Sequence, residues 1–410
     1  MKIGYVLLDG CGDRPVPSLN YTTPLEAAYT PNLDRIASSS RLGSVTTVGR
    51  GIAPESDIAV FNMLGYPFAE GYPGRGVIEA IGAGLDLKDG DLALRANLAS
   101  AKGKKIVDRR AGRNLTQEEA ERLAGDLNGF TLQGARFEYR ATISYRGVLV
   151  VRGDRRLNAA ISNTDPAYSR VGGFGAARES SESDRVMRSV PESKDEGAVE
   201  AARLVNEFTA KAQRVLDESE VNKERRRQGK LAANAVLLRD AGDHLPKLTP
   251  FEKRYGMKGT ALVEMPAEIG IARLLGMKMA IVKDRKDMAE KAALFSSELR
   301  EGVIVYVHIK GPDEFGHDGD ARGKQKNIES IDRDFFSAAL EKLGGVRLAV
   351  SCDHATPCTL KRHSADPVPL LVTSESRGDG RRFTEAGSRE GSLGHMKGID
   401  VLDLVVRGVP

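Results

Sequence analysis

Four runs of the chain are almost continuously apolar. They are IGYVLLDG (3–10), GVIVYVHIKG (302–311), VRLAVSCDH (346–354) and PVPLLVTS (367–374). None shows the strict alternation of a half-exposed strand, so each reads as a strand covered on both faces, as in a parallel sheet. Helical patterns lie between them. TPNLDRIASSS places Thr30 as a cap before Pro31 in the first turn. NIESIDRDFFSAALEKLGG has a helical period and ends on glycine. Strand alternating with helix predicts an open α/β sheet, a fold that gathers its ligands at the carboxyl ends of the strands.

The pattern changes in the middle of the chain. Residues from about 90 to 230 carry arginine- and glycine-rich loops and long polar stretches such as ARESSESDRVMRSVPESKDEG. RFEYRATISYRGVLVVRG shows some strand alternation, and the basic run VNKERRRQGK (221–230) reads as a solvated loop. The expected division is a core of residues 1–90 and 235–410, with a smaller α+β domain, residues 91–234, inserted into it. No internal repeat is visible.

Composition narrows the class. The 410 residues exceed one ordinary core, which agrees with two domains. Hydrophobic residues at 40% and charged residues at 29% are ordinary for a soluble globular protein. A net charge of +4 is too small and too dispersed to argue for nucleic acid. No stretch approaches the roughly 20 apolar residues of a membrane span, and the apolar N-terminal run is too short for a secretory signal. Three cysteines, Cys11, Cys352 and Cys358, an odd number in a long chain, argue against a disulfide framework, and a reducing cytoplasm is the expected setting.

The chemistry sits at strand ends. Asp9 closes the first run, Asp313 and His317 follow the second in GPDEFGHDGD, Asp353 and His354 close the third, and His363 lies just beyond in LKRHSADPVP. His395 and His244 read as loop histidines. Parallel strands bring their carboxyl ends to one edge, so three aspartates and three histidines would meet there. Carboxylates gathered in one cleft repel each other, and a bound cation removes that cost. Mixed Asp/His donors suit Zn²⁺, Mn²⁺ or Co²⁺ better than Ca²⁺. With Ser56, seven candidate ligands are too many for one catalytic ion and about right for two, the arrangement of in-line phosphoryl transfer. Ser56, in VTTVGRGIAPESDIAVFNMLGY, opens an apolar helical run after a glycine-rich loop and a proline. That position suits an N-cap, and it equally suits a nucleophile whose phosphate a helix start would hold.

LLDGCGDRP, GIAPESDIAVFNMLGY, GYPGRGVIEAIGAGLDL, VHIKGPDEFGHDGD and SCDHATPCTLKRHSADPVPLLV, with DRRAGRNLT and LAANAVLLRDAG, resemble the archaeal type of cofactor-independent phosphoglycerate mutase, of the alkaline phosphatase superfamily. The resemblance runs in order through nearly the whole chain. It implies an alkaline-phosphatase-like three-layer α/β core with a mainly parallel sheet, and a substrate-binding lid formed by the insertion. It implies that Ser56 is the transiently phosphorylated nucleophile. Asp9, Ser56, Asp353 and His354 would surround one divalent ion, and Asp313, His317 and His363 the other, with His363 preferred to His395 by superfamily order. The ions would be Mn, Co, Zn or Mg, with no bisphosphoglycerate. Glu55 and Ile58 depart from the glycine and threonine usual in the family beside the serine, and neither change removes a ligand.

A mutase, unlike a phosphatase using the same site, must exclude water and hold the glycerate while it turns. Arginine forks match carboxylate and phosphate. Arg110 and Arg113 of DRRAGR, Arg239 after the strand-like NAVLL, and Lys310, two residues after His308, are the expected substrate grip, Lys310 also serving the catalysis, and Asp108 is the candidate proton shuttle. The partner is a small molecule, phosphoglycerate, with no nucleic acid or membrane; self-association is left open. The alternatives are a metal-dependent phosphatase or a phosphomutase acting on another small phosphate ester, and a metal-binding protein without activity.

Overall fold

The computed structural model describes residues 1–67, 72–171, 174–177, 183–282, 284, 287–340, 344–374 and 377–409. The chain forms two compact units: Met1–Tyr72 with Leu248–Glu264 and Ile271–Pro410, and Pro73–Lys247 with Met265–Gly270. These limits differ from the expected 90/91 and 234/235. Helix Arg75–Gly82 and strand Ala235–Gly242 belong to the second unit, where the strand pairs antiparallel with Leu92–Lys102. An apolar run announces burial but not the sheet that buries it.

The first unit holds an eight-stranded sheet. Lys278–Ile281, Lys258–Val263, Val303–Ile309, Lys2–Leu8 and Val346–Cys352 are neighbours in that order and run parallel. Val368–Thr373 runs against both of its neighbours, Val346–Cys352 and Ser40–Thr46, and Gly394–Lys397 lies parallel to Ser40–Thr46. PVPLLVTS is thus buried as expected but reversed. The segment before it, residues 353–367, contains no helix, and a parallel return needs a crossover, usually a helical one. Register brings Leu8 opposite both Ile309 and Cys352, so that Asp9, Lys310 and Asp353 leave the sheet side by side.

Helices follow the pattern with two local changes. In Pro31–Ser38 the Thr30 side chain makes no cap; Asp332, distant in sequence, accepts from the Leu33 and Asn32 backbone N–H groups at 2.7 and 3.2 Å instead. The expected long helix is Ala321–Ile331, a wider π turn Asp332–Phe336, and Ser337–Leu340. Lys324, wholly buried in the first of these, donates to Asp13 Oδ2 at 2.8 Å and to the carbonyls of Gly12 and Thr356 at 3.1 and 3.0 Å. Its three protons are all used. Asp13 also accepts from the Cys358 N–H at 3.1 Å, so one ion pair ties the loop after Leu8 to the loop after Cys352. Removing either partner strands a buried charge, at a cost of about 3–5 kcal/mol.

In the second unit an antiparallel sheet is built on Leu92–Lys102, and RFEYRATISYRGVLVVRG forms the pair Ala135–Ala141 and Arg146–Gly153. Helices Gln117–Leu127 and Glu196–Glu218 bury their apolar faces in its core, where Phe130, Phe137 and Phe208 meet with ring centroids 4.8 to 5.5 Å apart. The basic run is not a loop: it lies largely in helix Glu220–Arg227, with Arg225 fully buried. Among the described residues no helix is long and apolar enough to cross a membrane.

Glu385 offers a check on the first unit. It is buried, accepting from the Asp13 N–H at 3.0 Å and the Thr23 hydroxyl at 2.7 Å, and burial pushes its pKa up from 4.5 to about 7. The folded state therefore keeps a proton that the unfolded chain releases. The stability this supplies is complete below pH 4.5 and is lost as the pH rises to about 7. Glu385→Gln is expected to raise Tm at about pH 8 and much less at about pH 5. Equal shifts at the two pH values, in paired thermal melts, would contradict the assignment.

Candidate active site

Ser56 is the first residue of helix Ser56–Met63, whose remaining side chains are all buried. A helix buried all round is fixed by its packing, so its first turn has a defined place. Glu55 precedes it as cap residue without a side-chain cap bond. The serine hydroxyl does not cap either. Its Oγ lies 3.1 Å from His354 Nε2 and 3.4 Å from Asp9 Oδ1.

The remaining groups converge on the same edge of the sheet. Asp353 Oδ1 accepts from the Gly10 and His354 N–H groups at 3.0 and 2.9 Å, which leaves Oδ2 turned to His354 and His308, 3.3 Å from each Nε2. Asp313 and His317 fall one turn apart on helix Pro312–Asp318, at 3.5 Å from each other, and His363 Nε2 is 3.4 Å from Asp313 Oδ1. The outer imidazole nitrogens are held: His317 Nδ1 by the Lys361 carbonyl at 3.1 Å, His363 Nδ1 by the Pro54 carbonyl at 2.8 Å. Their Nε2 atoms, 3.2 Å apart, face inwards. Among the described residues, three triads have donor atoms within 4.8 Å of one another: Asp313, His317 and His363; Asp9, Asp313 and His354; Asp9, His308 and Asp353. Carboxylate oxygens and oriented imidazoles, each steadied by an outer partner, are a donor set that fits divalent cations of the Zn²⁺ or Mn²⁺ kind.

Gly10 makes the convergence sterically feasible. It has φ +57°, and a Cβ there would stand 2.6 Å from both Asp313 Oδ1 and Thr356 Oγ1. Thr356 itself joins the two halves, donating to Asp313 Oδ1 at 2.6 Å and meeting His354 Nδ1 at 3.1 Å.

Charge is unbalanced here. Two unit charges 4 Å apart interact by about 4 kcal/mol at an effective dielectric of about 20. Burial opposes ionisation of Asp9, yet Lys310, 3.2 Å away, together with His354 and His308 holds its carboxyl well below the usual range. Burial likewise opposes ionisation of Asp313, and His363, His354 and His317 outweigh it. The compensation appears on His363. Burial disfavours its cation, but the Asp313 carboxylate and the Glu55 charge push its pKa up to about 9.

All seven predicted ligands therefore come together, with Lys310 beside Asp9. His395 lies elsewhere, exposed between Ser44 Oγ and Thr46 Oγ1 at 2.9 and 3.0 Å, and His244 is exposed beside Asp243. The three cysteines are free and buried. Two residues of the cluster escaped the sequence reading. His308 looks like any residue of an apolar strand, its signal being only an imidazole in an otherwise aliphatic run. Thr356 follows CDHA directly, and its neighbours were the only hint.

In the second unit Arg239 is buried, its guanidinium 3.7 Å from the Tyr168 ring centroid and its Nη1 3.4 Å from Asp165 Oδ2. Arg109 joins it by hydrogen bonding to the same carboxylate oxygen. Arg110 and Arg113 are exposed on the following turn. Asp108 Oδ1 is occupied in closing that turn, accepting from the Arg110 and Gly112 N–H groups at 2.7 and 3.1 Å.

A hydroxyl at a helix start, inside a nest of carboxylates and imidazoles at one sheet edge, belongs to the chemistry of phosphoryl-transfer enzymes of the α/β class. Comparison with known proteins makes this particular. The sequence model of the 2,3-bisphosphoglycerate-independent phosphoglycerate mutases matches residues 37–222. A protein of that name from Aeropyrum pernix is 44% identical over 97% of each chain, and one from Methanopyrus kandleri is 38% identical over 98% of this chain and 95% of its own. The solved cofactor-independent phosphoglycerate mutase from Thermoplasma acidophilum, 31% identical, is covered over 99% of each chain with a TM-score of 0.64. The chain belongs to the 2,3-bisphosphoglycerate-independent phosphoglycerate mutase family.

A cation entering beside Asp313 must displace the proton on His363. Mn²⁺ binding is accordingly expected to release protons and to tighten as pH rises from about 6.5 to about 8.5. Calorimetric titration in buffers of different ionisation enthalpy measures both, and binding that is proton-neutral and flat across that range would contradict it.

Proposed function

We propose that this chain interconverts 2-phosphoglycerate and 3-phosphoglycerate without a bisphosphoglycerate cofactor, by way of a phosphoserine at residue 56. The observation that carries the reading is the Ser56 hydroxyl, 3.1 Å from His354 Nε2 and 3.4 Å from Asp9 Oδ1 at the start of a buried helix. The family to which the chain belongs supports it.

Asp313, His317 and His363 would hold one divalent ion, and Asp9, Asp353 and His354, with Ser56, a second. Bound there, such ions supply Lewis acidity to phosphoryl oxygens and lower the pKa of the serine hydroxyl. The rest is the work of the chain. Ser56 Oγ attacks phosphorus, and the bond from phosphorus to the glycerate oxygen breaks. The departing oxygen takes up a proton, and the other glycerate hydroxyl gives one up before attacking the phosphoserine, which regenerates Ser56. Asp108, through the oxygen not engaged in its turn, is the proposed carrier of that proton. The amide dipoles at the helix start stabilise the phosphate on Ser56. Lys310 offers an ammonium to a phosphoryl oxygen. Arg110, Arg113 and Arg239 are assigned to the carboxylate and phosphate of the substrate. His308 and Thr356 orient the aspartates and His354.

The test separates transfer from hydrolysis. With 3-phosphoglycerate as substrate, the protein is expected to form 2-phosphoglycerate without stoichiometric free phosphate. Ser56→Ala is expected to lower turnover by roughly 10⁴-fold or more. Its fold and Tm should be retained, because a half-buried hydroxyl of this kind contributes little to stability. Phosphate release matching substrate loss would make the protein a phosphatase, and turnover surviving in the alanine variant would remove the covalent route.

A further inference from the structure

The turn that follows Asp108 is strained. Ala111, Gly112 and Arg113 have φ of +46°, +76° and +55°, three consecutive left-handed residues of which two are not glycine. Such a conformation persists only where its surroundings enforce it. From one side Asp108 Oδ1 gathers two backbone N–H groups of the turn. From the other comes a side chain more than a hundred residues away. Arg225, fully buried, donates from Nη2 to the Ala111 carbonyl at 3.1 Å and to Asn114 Oδ1 at 2.6 Å. Its Nη1 reaches Glu119 Oε2 at 2.8 Å, and its Nε the Leu231 carbonyl at 2.9 Å.

This bonding pattern is specific. Nη2 alone grips the first residue of the left-handed stretch and the residue just after its last, while Nη1 and Nε anchor the guanidinium elsewhere. Glu119, which neutralises the guanidinium, also closes the capping box with Thr116 that starts helix Gln117–Leu127. The turn is thereby referenced to a helix end, a fixed point. Arg226 and Arg227, the next residues of the same run, make exposed ion pairs with Asp217 and Glu224 and touch nothing of the turn. A lysine at 225 keeps the charge but has one nitrogen in place of three, and cannot hold the turn, Glu119 and the Leu231 carbonyl together.

We propose that Arg225 is a positioning residue: its buried guanidinium clamps the left-handed turn Ala111–Arg113 and so sets the direction of the exposed Arg110 and Arg113 side chains that bind the anionic groups of phosphoglycerate. The inference rests on the reading that this turn contacts substrate. No hydrogen bond of Arg225 reaches the metal-type cluster, so its loss acts through the turn, first on substrate capture and second on Asp108, whose Oδ1 closes the same turn.

The test is a double-mutant cycle on the full chain, with KM and kcat for 3-phosphoglycerate as readouts. Arg225→Lys is expected to raise KM by about tenfold with a smaller fall in kcat, through Asp108, and Asn114→Ala, at an exposed position, to raise KM by about threefold. Trypsin should cut after Arg110 or Arg113 faster in both variants. In an Arg110→Ala/Arg113→Ala background the same two substitutions are expected to raise KM by less than about twofold further, because they act through the arginines already removed. A purely structural residue would give effects that multiply. If the background variant has an unaltered KM, the substrate-binding reading falls and the proposal with it. If the background raises KM while Arg225→Lys and Asn114→Ala leave it unchanged, or their effects multiply, only the proposal falls. Should Arg225→Lys not fold, Asn114→Ala alone decides by the same criteria.

Discussion

Three carboxylates, those of Asp9, Asp313 and Asp353, are brought to one sheet edge and largely withdrawn from water. Their mutual repulsion is the constraint that the rest of the site answers. Lys310 supplies one positive charge, and His363 supplies another by taking up a proton. The second remedy is provisional, since a protonated His363 has no lone pair left at Nε2 to offer a cation. Divalent ions resolve the conflict with fewer atoms and leave the cluster attractive to an anion.

The fold holds these groups together by devices outside the cluster. Parallel pairing of Lys2–Leu8 with Val303–Ile309 and Val346–Cys352 delivers Asp9, Lys310 and Asp353 in register. The helix-free return to the reversed strand Val368–Thr373 leaves a long loop free to carry both His354 and His363. The buried pair Lys324 and Asp13 fastens the two ligand-bearing loops to each other, and Gly10 lets Asp313 and Thr356 approach. Each of these features is conventional. Their common result is that carboxylates which repel are held at one sheet edge.

Much of this was legible because strand ends are where sequence and function share an address. Asp9, Asp313, Asp353 and His354 stand immediately after apolar runs, and the runs themselves had the composition of buried strands. What escaped depends on partners that periodicity does not name. His308 sits inside an apolar run, and its role follows only from the pairing that sets it beside Asp9 and Asp353. The reversal of Val368–Thr373 and the assignment of Ala235–Gly242 to the second unit are properties of neighbours, since an apolar strand reads alike in either sheet or direction. Arg225 was hidden by its company: three consecutive arginines suggest solvent, yet one of them points inward and is satisfied by four acceptors.

The central claim is that the clustered carboxylates and imidazoles exist to hold cations beside the Ser56 hydroxyl. Anomalous diffraction from crystals grown with Mn²⁺ addresses it without reference to turnover. The account predicts two peaks on this edge of the sheet, one among Asp313, His317 and His363 and the other among Asp9, Asp353 and His354 within bonding distance of Ser56 Oγ. Strong peaks elsewhere with none at these residues, at a concentration that supports activity, would contradict it.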